Sequence, residues 1–258
     1  MIHTVYDNSP FPEAPDPAEP AGRAQATRER ILDAAERLFA EHGFAATSHR
    51  QITAEAGVNL AAVNYHFGSK EELFLEVVRR RLDPVNRRRL EMLEEAERRS
   101  GVARIEDIAR AFAEPVVAAR DEDGDAGVLP KLMARVVGEP GGWAEKLFPV
   151  VFAGVAARFL ASLEKAMPGV KREDLLWGLV FSAGVLSHYV LLGDLVRRVA
   201  GAAPGGARGH RTAERMVGFI TAGLKALRAA PAAKETAAAR GGGRAAAERK
   251  RGGGRKQA

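Results

Sequence analysis

Apolar residues recur at intervals of three and four from Thr27 to about Leu227, and this spacing constrains the fold most strongly. It is the period of an α-helix, which gathers such residues on one face. The single Asp-Gly dipeptide, at 123–124, has no alternating apolar runs beside it and predicts no hairpin. The sequence therefore predicts an all-α fold without a β-sheet.

Two short helices separated by a glycine turn are predicted near the amino terminus. Ser48 is a natural N-cap, and Gln51 three residues later completes a capping box. Gly57 ends that helix, and Asn59 is the expected cap of the next one. Residues 48–67 therefore predict a helix-turn-helix. The helix before it is expected to start at Thr27 and end at Gly43, and a capping box formed by Ser69 and Glu72 opens the helix after it.

Residues 27–78 resemble the DNA-binding domain of the TetR family of transcriptional repressors. The matching features are ILDAAERLFAEHGF in the first helix, A-G-V at the turn, Y-H-F ending the third helix and G-S-K-E-E-L opening the fourth. Several spaced motifs make this more specific than a helix-turn-helix alone. The resemblance implies a three-helix DNA-binding domain at 24–84 and a helical ligand-binding and dimerisation domain at 85–230. Within the family, GVNLAAVNYHFGSK is most similar to regulators of fatty-acid metabolism.

The resemblance also implies which residues contact DNA. Of the side chains at the base-contacting positions, that of Asn64 can form a bidentate pair with a base, preferably adenine. Because so few side chains can form specific hydrogen bonds with bases, DNA shape and phosphate contacts are expected to contribute much of the affinity. The base-contacting positions correspond to Leu60, Ala61, Ala62, Asn64 and Tyr65. The phosphate-contacting positions correspond to Ser48, His49, Arg50, Tyr65, His66 and Lys70.

Plainer interpretations stay open for several of these residues. Ala61 and Ala62 can be helix-forming spacers, and His66 can hydrogen-bond locally. Arg50 can pair with an acid of its own domain. His49 and His66 have no third ligand at a useful spacing, so neither a metal site nor a cofactor is predicted.

The carboxy-terminal half is expected to continue as helices broken or kinked by prolines and glycines. The fourth helix should kink or end at Pro84. The arginine triplets at 79–81 and 87–89 are offset by neighbouring glutamates, and this balance favours a solvated face. Further helices are predicted at about 104–120, 126–138, 143–167, 172–199 and 211–228.

The stretch from Leu175 to Gly193 contains no charged residue. Its length admits a transmembrane helix, but Asp174 and Asp194 border it and Ser182 lies within it. A helix that is apolar all round also fits a protein core that meets a second subunit. In the family that the chain resembles, the last two long helices form the dimer. We therefore expect a homodimer through about 172–199 and 211–228, and no membrane span.

The residues that line a ligand pocket are weakly indicated by the sequence. Large apolar side chains in this half can line a cavity, although such residues are more often plain core. Arg135 can meet an anionic head group or extend to the surface. The resemblance suggests a fatty acid or an acyl-CoA as effector. The candidate residues are Phe112, Met133, Arg135, Phe152, Trp177 and Phe181.

Both ends of the chain are expected to be disordered. Residues 1–22 contain five prolines and four acids, without lysine or arginine. The segment at 231–258 is rich in Ala, Gly, Arg and Lys, and residues 232–258 have a net charge of +6, equal to that of the whole chain. This tail is either a solvated extension or an arm that binds phosphates non-specifically. Its charge alone does not make the folded part a DNA-binding protein.

Composition excludes several classes of function. The chain has no cysteine, which excludes disulfides, thiolate metal sites and a cysteine nucleophile. The amino terminus lacks the basic segment and the apolar segment that make up a secretory signal. The sequence also contains no known catalytic motif. We therefore expect a cytoplasmic, nucleoid-associated, ligand-responsive regulator rather than an enzyme. It would bind a pseudo-palindromic double-stranded DNA operator as a dimer. The alternative is an architectural or non-specific DNA-binding protein that acts through its tail.

Overall fold

The computed structural model describes residues 19–123, 127–138, 142–199, 201 and 209–228. All regular structure within these ranges is helical, as predicted. The helices are α1 (Glu19–Ala46), α2 (His49–Ala56), α3 (Leu60–Phe67), α4 (Lys70–Ser100), α5 (Ile105–Asp123), α6 (Val128–Gly138), α7 (Trp143–Leu147), α8 (Ala153–Ala166), α9 (Arg172–Val199) and α10 (Gly209–Ala226). A π-helical turn, Phe148–Phe152, connects α7 to α8. The basic tail, and the predicted amino-terminal arm up to residue 18, lie outside the described residues.

Helix α1 begins before the predicted N-cap. It starts at Glu19, so Thr27 lies inside it and the last residues of the predicted disordered arm are helical. Pro20 suits this start because a proline in the first helical turn sacrifices no hydrogen bond. The predicted break at Gly43 is present, since this residue has a φ of 84° within α1. The Thr47 hydroxyl donates to the Gly43 carbonyl over 2.7 Å and holds the bend.

The helix-turn-helix forms with the predicted caps. Ser48 and Gln51 make a reciprocal capping box at the start of α2. Gly57 has a φ of 63°, a left-handed conformation that glycine adopts without steric cost. The Asn59 side chain accepts a 2.9 Å hydrogen bond from the Ala62 amide and caps α3. These local interactions account for the confirmed prediction.

Helix α4 does not end at Pro84, where an end or a kink was expected. It runs unbroken from Lys70 to Ser100 with Pro84 inside. Pro84 and Arg80, whose carbonyl loses its helical partner to the proline, are both exposed. Water can solvate that carbonyl, so the helix tolerates the proline.

Two apolar clusters organise the part of the chain that the structure describes. The amino-terminal core joins α1, α2, α3 and the first part of α4 to α6, α7 and the π-helical turn, and it includes Phe39, Phe74 and Trp143. The carboxy-terminal core joins the rest of α4 to α5, α8, α9 and α10 and includes Phe159 and Ile220. Helix α4 belongs to both cores. The three-helix unit is thus packed directly against α6 and α7.

Candidate nucleic-acid interface

Helix α3 turns one face into the amino-terminal core and the other to solvent. Val63 and Phe67 are buried. The opposite face exposes Asn64 and Tyr65, and Tyr65 is 83% exposed. An α-helix fits the major groove of B-DNA, so exposed side chains on such a helix can reach base edges. The fold therefore leaves the predicted reading face of α3 free.

Other predicted contacts on α3 have structural roles as well. Leu60 and Ala61 are exposed, but Ala62 is half-buried and packs against the amino-terminal core. The half-buried His66 ring lies edge-on to the Tyr65 ring, with 5.1 Å between the ring centroids. Such edge-to-face contacts are favourable, so His66 restricts where the tyrosine can point.

The start of α2 supplies donors for an anion. The Ser48 side chain is engaged in the capping box, while the first backbone N–H groups of the helix form a natural phosphate site. Arg50 is exposed and makes no ion pair within the described ranges, so the predicted alternative of an intradomain pair is not observed. The Nε2 atom of His49 is buried and has no hydrogen-bond partner there. Arg50 is thus available to a phosphate.

Lys70 is held by its own domain. Its ammonium donates to the carbonyls of Phe44, over 3.0 Å, and Thr47, over 2.8 Å. It also lies 4.2 Å from the centroid of the Phe44 ring. These contacts fix the bend between α1 and α2. Because an ammonium has three donors, one remains for an outside acceptor such as a phosphate.

The tryptophan of α7 connects this domain to the rest of the protein. Trp143 is 2% exposed, and its ring packs against Phe44 and Phe74 at centroid distances of 4.5 and 4.6 Å. Phe44 is also the residue whose carbonyl and ring contact Lys70. A movement of α7 would therefore reach the bend that positions α2.

A second connection runs through a cluster of charged side chains. The Arg81 guanidinium binds Glu36 of α1 and, over 3.2 Å, Asp123 of α5. The hydrogen bond with Glu36 is the main reason that the pKa of Arg81 is raised. Asp123 also accepts a 2.7 Å bond from the Leu129 amide at the start of α6. A methyl group on Gly127 would overlap the Asp123 carboxylate, so a glycine fits this connection.

The interpretation of the arginine triplets as a solvated face was wrong for two residues. Arg81 bridges two carboxylates, and Arg89 is buried. Asn86, one turn before Arg89 on α4, is buried as well. The helical spacing could have indicated this burial. Arg89 lies four residues from both Val85 and Leu93, on the buried face of α4.

The predicted ligand residues do not share one cavity. Phe112 belongs to the carboxy-terminal core, whereas Met133 and Phe152 pack against the amino-terminal core. Arg135 donates over 2.7 Å to the carbonyl of Glu41, which links α6 to α1. The last two candidates, Trp177 and Phe181, are exposed on α9 and stack with a centroid distance of 5.7 Å. These six side chains remain individual candidates without a common site.

Helices α9 and α10 expose a broad apolar face. Phe181 and Phe219 are 64% and 67% exposed and line an open groove with His188. Soluble monomers rarely expose so many large apolar side chains together. The face also includes Leu176, Trp177, Val180, Leu192, Leu195, Val196 and Val199. Two helical stretches, Glu145–Ala166 and Arg172–Gly193, are long and apolar enough to cross a membrane, but core helices of soluble proteins meet the same criterion.

Sequence comparison matches both halves of the chain to one family. Residues 31–77 match the bacterial regulatory proteins of the tetR family, and residues 110–223 match the tetracyclin repressor-like C-terminal domain. Together these matches cover more than half of the chain. The chain belongs to the TetR family. TetR-family proteins are DNA-binding transcriptional regulators, typically repressors, rather than enzymes.

Known TetR-family regulators resemble this chain over short stretches. The transcriptional regulator AcrR of Shigella flexneri is 46% identical over 54 residues, which are 21% of this chain and 25% of AcrR. The repressor AcnR of Corynebacterium efficiens is 42% identical over 53 residues, which are 20% of this chain and 28% of AcnR. The chain thus spans about a quarter of the length of these relatives.

A solved structure supports the fold over most of the chain. The crystal structure of HlyIIR, a hemolysin II transcriptional regulator, matches 77% of this chain and 98% of its own, with a TM-score of 0.51 and 21% identity. At this identity the match shows the TetR-like fold alone.

Proposed function

We propose that the chain is a ligand-responsive transcriptional repressor that binds a pseudo-palindromic operator as a homodimer in the cytoplasm. Residues 24–84 would form the DNA-binding domain, and residues 85–230 the ligand-binding and dimerisation domain. The observation that supports this most directly is the free face of α3, where Asn64 and Tyr65 are exposed above buried Val63 and Phe67. The exposed Arg50 adds a cation beside this face.

The apolar face of α9 and α10 supports the dimer. A two-fold interface uses the same patch of both subunits, and large aromatic side chains are common at its centre. Trp177, Phe181 and Phe219 supply such side chains here. Pairing of these faces would hold two DNA-binding domains together, and two α3 helices would enter successive major grooves.

A small apolar effector would act through α6 and α7. These helices pack on the DNA-binding domain through Trp143 and through the Arg135 contact to Glu41. Ligand binding changes DNA affinity only if the effector binds the two states of the protein with different affinity. A coupling free energy of about 1–3 kcal/mol is common.

The second candidate function is non-specific DNA binding through the tail. Its support is the net charge of +6 on residues 232–258. Clustered cations release counterions from DNA, so binding by the tail would be steeply salt-dependent and indifferent to sequence.

Selection of duplexes from a random-sequence library tests both functions. The selection compares three proteins: the full chain, the Asn64→Ala, Tyr65→Ala double variant, and a shortened chain that lacks residues 232–258. The Arg104→Ala variant is the control, because it removes an exposed cation at the start of α5. We expect the full chain to enrich one two-fold symmetric sequence. The double variant should lose this enrichment, and the control and the shortened chain should retain it. Enrichment of no sequence, with binding that depends on the tail, would contradict it.

A further inference from the structure

Arg89 is a cation at a position of α4 where the spacing of the buried residues predicts an apolar side chain. It is 7% exposed and lies on the buried stripe of α4 between Val85 and Leu93. Burying a charge is unfavourable unless the charge is well paired. Arg88, its neighbour in the sequence, is exposed and pairs with Glu91. The contrast shows that Arg89 is distinct from the solvated arginines around it.

No carboxylate neutralises Arg89 among the residues that the structure describes. Burial alone lowers the pKa of its guanidinium to about 10. Arg81 and Arg158 show the opposite direction, because each has a raised pKa from a hydrogen bond with a glutamate. Arg89 thus keeps a buried positive charge without a counter-charge.

The present hydrogen-bond partners of Arg89 are two neutral acceptors, a backbone carbonyl and a side-chain amide. Its Nε donates to the Phe112 carbonyl over 2.9 Å, and its Nη1 donates to Asn86 over 3.3 Å. The guanidinium carbon lies 4.5 Å from the centroid of the Phe112 ring, which in turn packs edge-on against Phe159. The guanidinium of Arg89 has several N–H donors in one plane and lies among aromatic rings. This arrangement fits a ligand in which a carboxylate is attached to an apolar group.

Asn86 connects this position to the DNA-binding domain. Its side-chain amide donates over 2.9 Å to the carbonyl of Val151 in the π-helical turn. Val151 belongs to the amino-terminal core, together with Trp143. Isolated π-helical turns often mark functional positions. A ligand that displaced Asn86 from Arg89 would therefore alter a contact of the core that positions α1 to α3.

We propose that the effector is an organic acid with an apolar body and that Arg89 binds its carboxylate. This inference rests on the proposed function, since it names the chemistry of the effector. One guanidinium neutralises one carboxylate, so a free acid fits better than a coenzyme A ester, whose several phosphate charges need more than one cation. Asn86 acts as the positioning residue between the bound acid and the π-helical turn.

Binding of simple acids to the full-length protein tests the inference. The probes are hexanoate, octanoate and decanoate, each below its micelle concentration, and the alcohols of the same chain lengths. Isothermal titration calorimetry is performed on the wild-type protein, on Arg89→Met, which keeps the bulk without the charge, and on the control Arg88→Met. We expect acids to bind the wild type and the control, and to bind Arg89→Met about ten- to a hundredfold more weakly, as loss of a charge-assisted hydrogen bond implies. The alcohols should bind wild type and Arg89→Met equally.

Three results would overturn the inference: equal binding of acids to the wild type and Arg89→Met, equal binding of acids and alcohols to the wild type, or no binding of any acid to the wild type. If Arg89→Met does not fold, Arg89→Lys serves instead, because it keeps the charge but loses the planar fork. That variant should weaken acid binding and leave alcohol binding unchanged.

The random-library selection on the same preparations separates this inference from the proposed function. DNA selection without acid binding contradicts the inference alone. Acid binding that depends on Arg89, without DNA selection, contradicts the operator-binding proposal alone.

Discussion

Replacing Trp143 with alanine tests the packing of α7 onto the DNA-binding domain. Trp143 lies in the amino-terminal core with its ring against Phe44 and Phe74. Truncation of a buried large aromatic residue to alanine costs about 3–5 kcal/mol. Within that total, each edge-on ring pair contributes about 0.5–1.5 kcal/mol beyond the buried area. Since domains of this kind are stable by about 5–15 kcal/mol, Trp143→Ala should remove a large share.

Urea unfolding followed by far-ultraviolet circular dichroism measures this change. Circular dichroism is preferable to fluorescence because the chain has two tryptophans and the variant loses one of them. All proteins are compared at one concentration, since the stability of a dimer depends on concentration. The control is Tyr65→Ala, whose side chain is 83% exposed and whose loss should change stability by at most about 0.5 kcal/mol.

The two variants should also differ in DNA binding. Tyr65→Ala should lose affinity for the operator while keeping its stability. Trp143→Ala should instead show a loss of stability. A loss of less than about 1 kcal/mol in Trp143→Ala would contradict the packing of Trp143 in this core. It would mean that Trp143 does not fill the space between Phe44 and Phe74, and that α7 is not anchored to the DNA-binding domain.

Three further predictions follow from single positions. Gly57→Ala should destabilise the protein by about 1–2 kcal/mol in urea unfolding, because the φ of 63° is unfavourable for alanine. The added methyl group itself would meet no atom closer than 4.0 Å. An unchanged unfolding midpoint would be inconsistent with this turn. Phe181→Asp should convert the proposed dimer to monomer in sedimentation velocity, because it puts a charge in the apolar face of α9. A dimer retained by this variant would place the interface elsewhere. A hydrogen bond from Arg158 lowers the pKa of Glu97, so their pairing stabilises the fold above the unfolded-state pKa of about 4.3, and this stability is lost as the pH falls through the lowered folded-state pKa. Arg158→Met should therefore reduce stability at pH 6 and show a smaller further loss between pH 4 and 3; parallel acid profiles of the two proteins would argue against this pairing.

The helix-turn-helix was predictable because its boundaries depend on local chemistry. Ser48, Gln51, Gly57 and Asn59 each satisfy or terminate a helix end within a few residues, so the sequence alone indicates their roles. The exposure of Tyr65 follows from the helical period once Val63 and Phe67 are assigned to the core.

Features that depend on tertiary contacts were not predictable in the same way. Thr27 has the chemistry of an N-cap, but the helix-forming residues before it extend α1 to Glu19. Pro84 does not end α4, because the affected side of the helix faces water. Charge counting suggested that Arg81 and Arg89 were solvated, whereas distant segments supply Asp123 and the Phe112 carbonyl as their partners. Composition could not predict that the apolar ligand candidates would be divided between the two cores and the exposed face of α9.

Operator binding is tested most directly by footprinting the full-length protein on the DNA upstream of its own gene, with excess unrelated DNA present. We expect two protected half-sites related by two-fold symmetry, with centres about one helical turn or a multiple of it apart. The Asn64→Ala, Tyr65→Ala double variant should lose this protection while remaining folded. Uniform protection that the competitor removes and the double variant retains would contradict specific binding through α3.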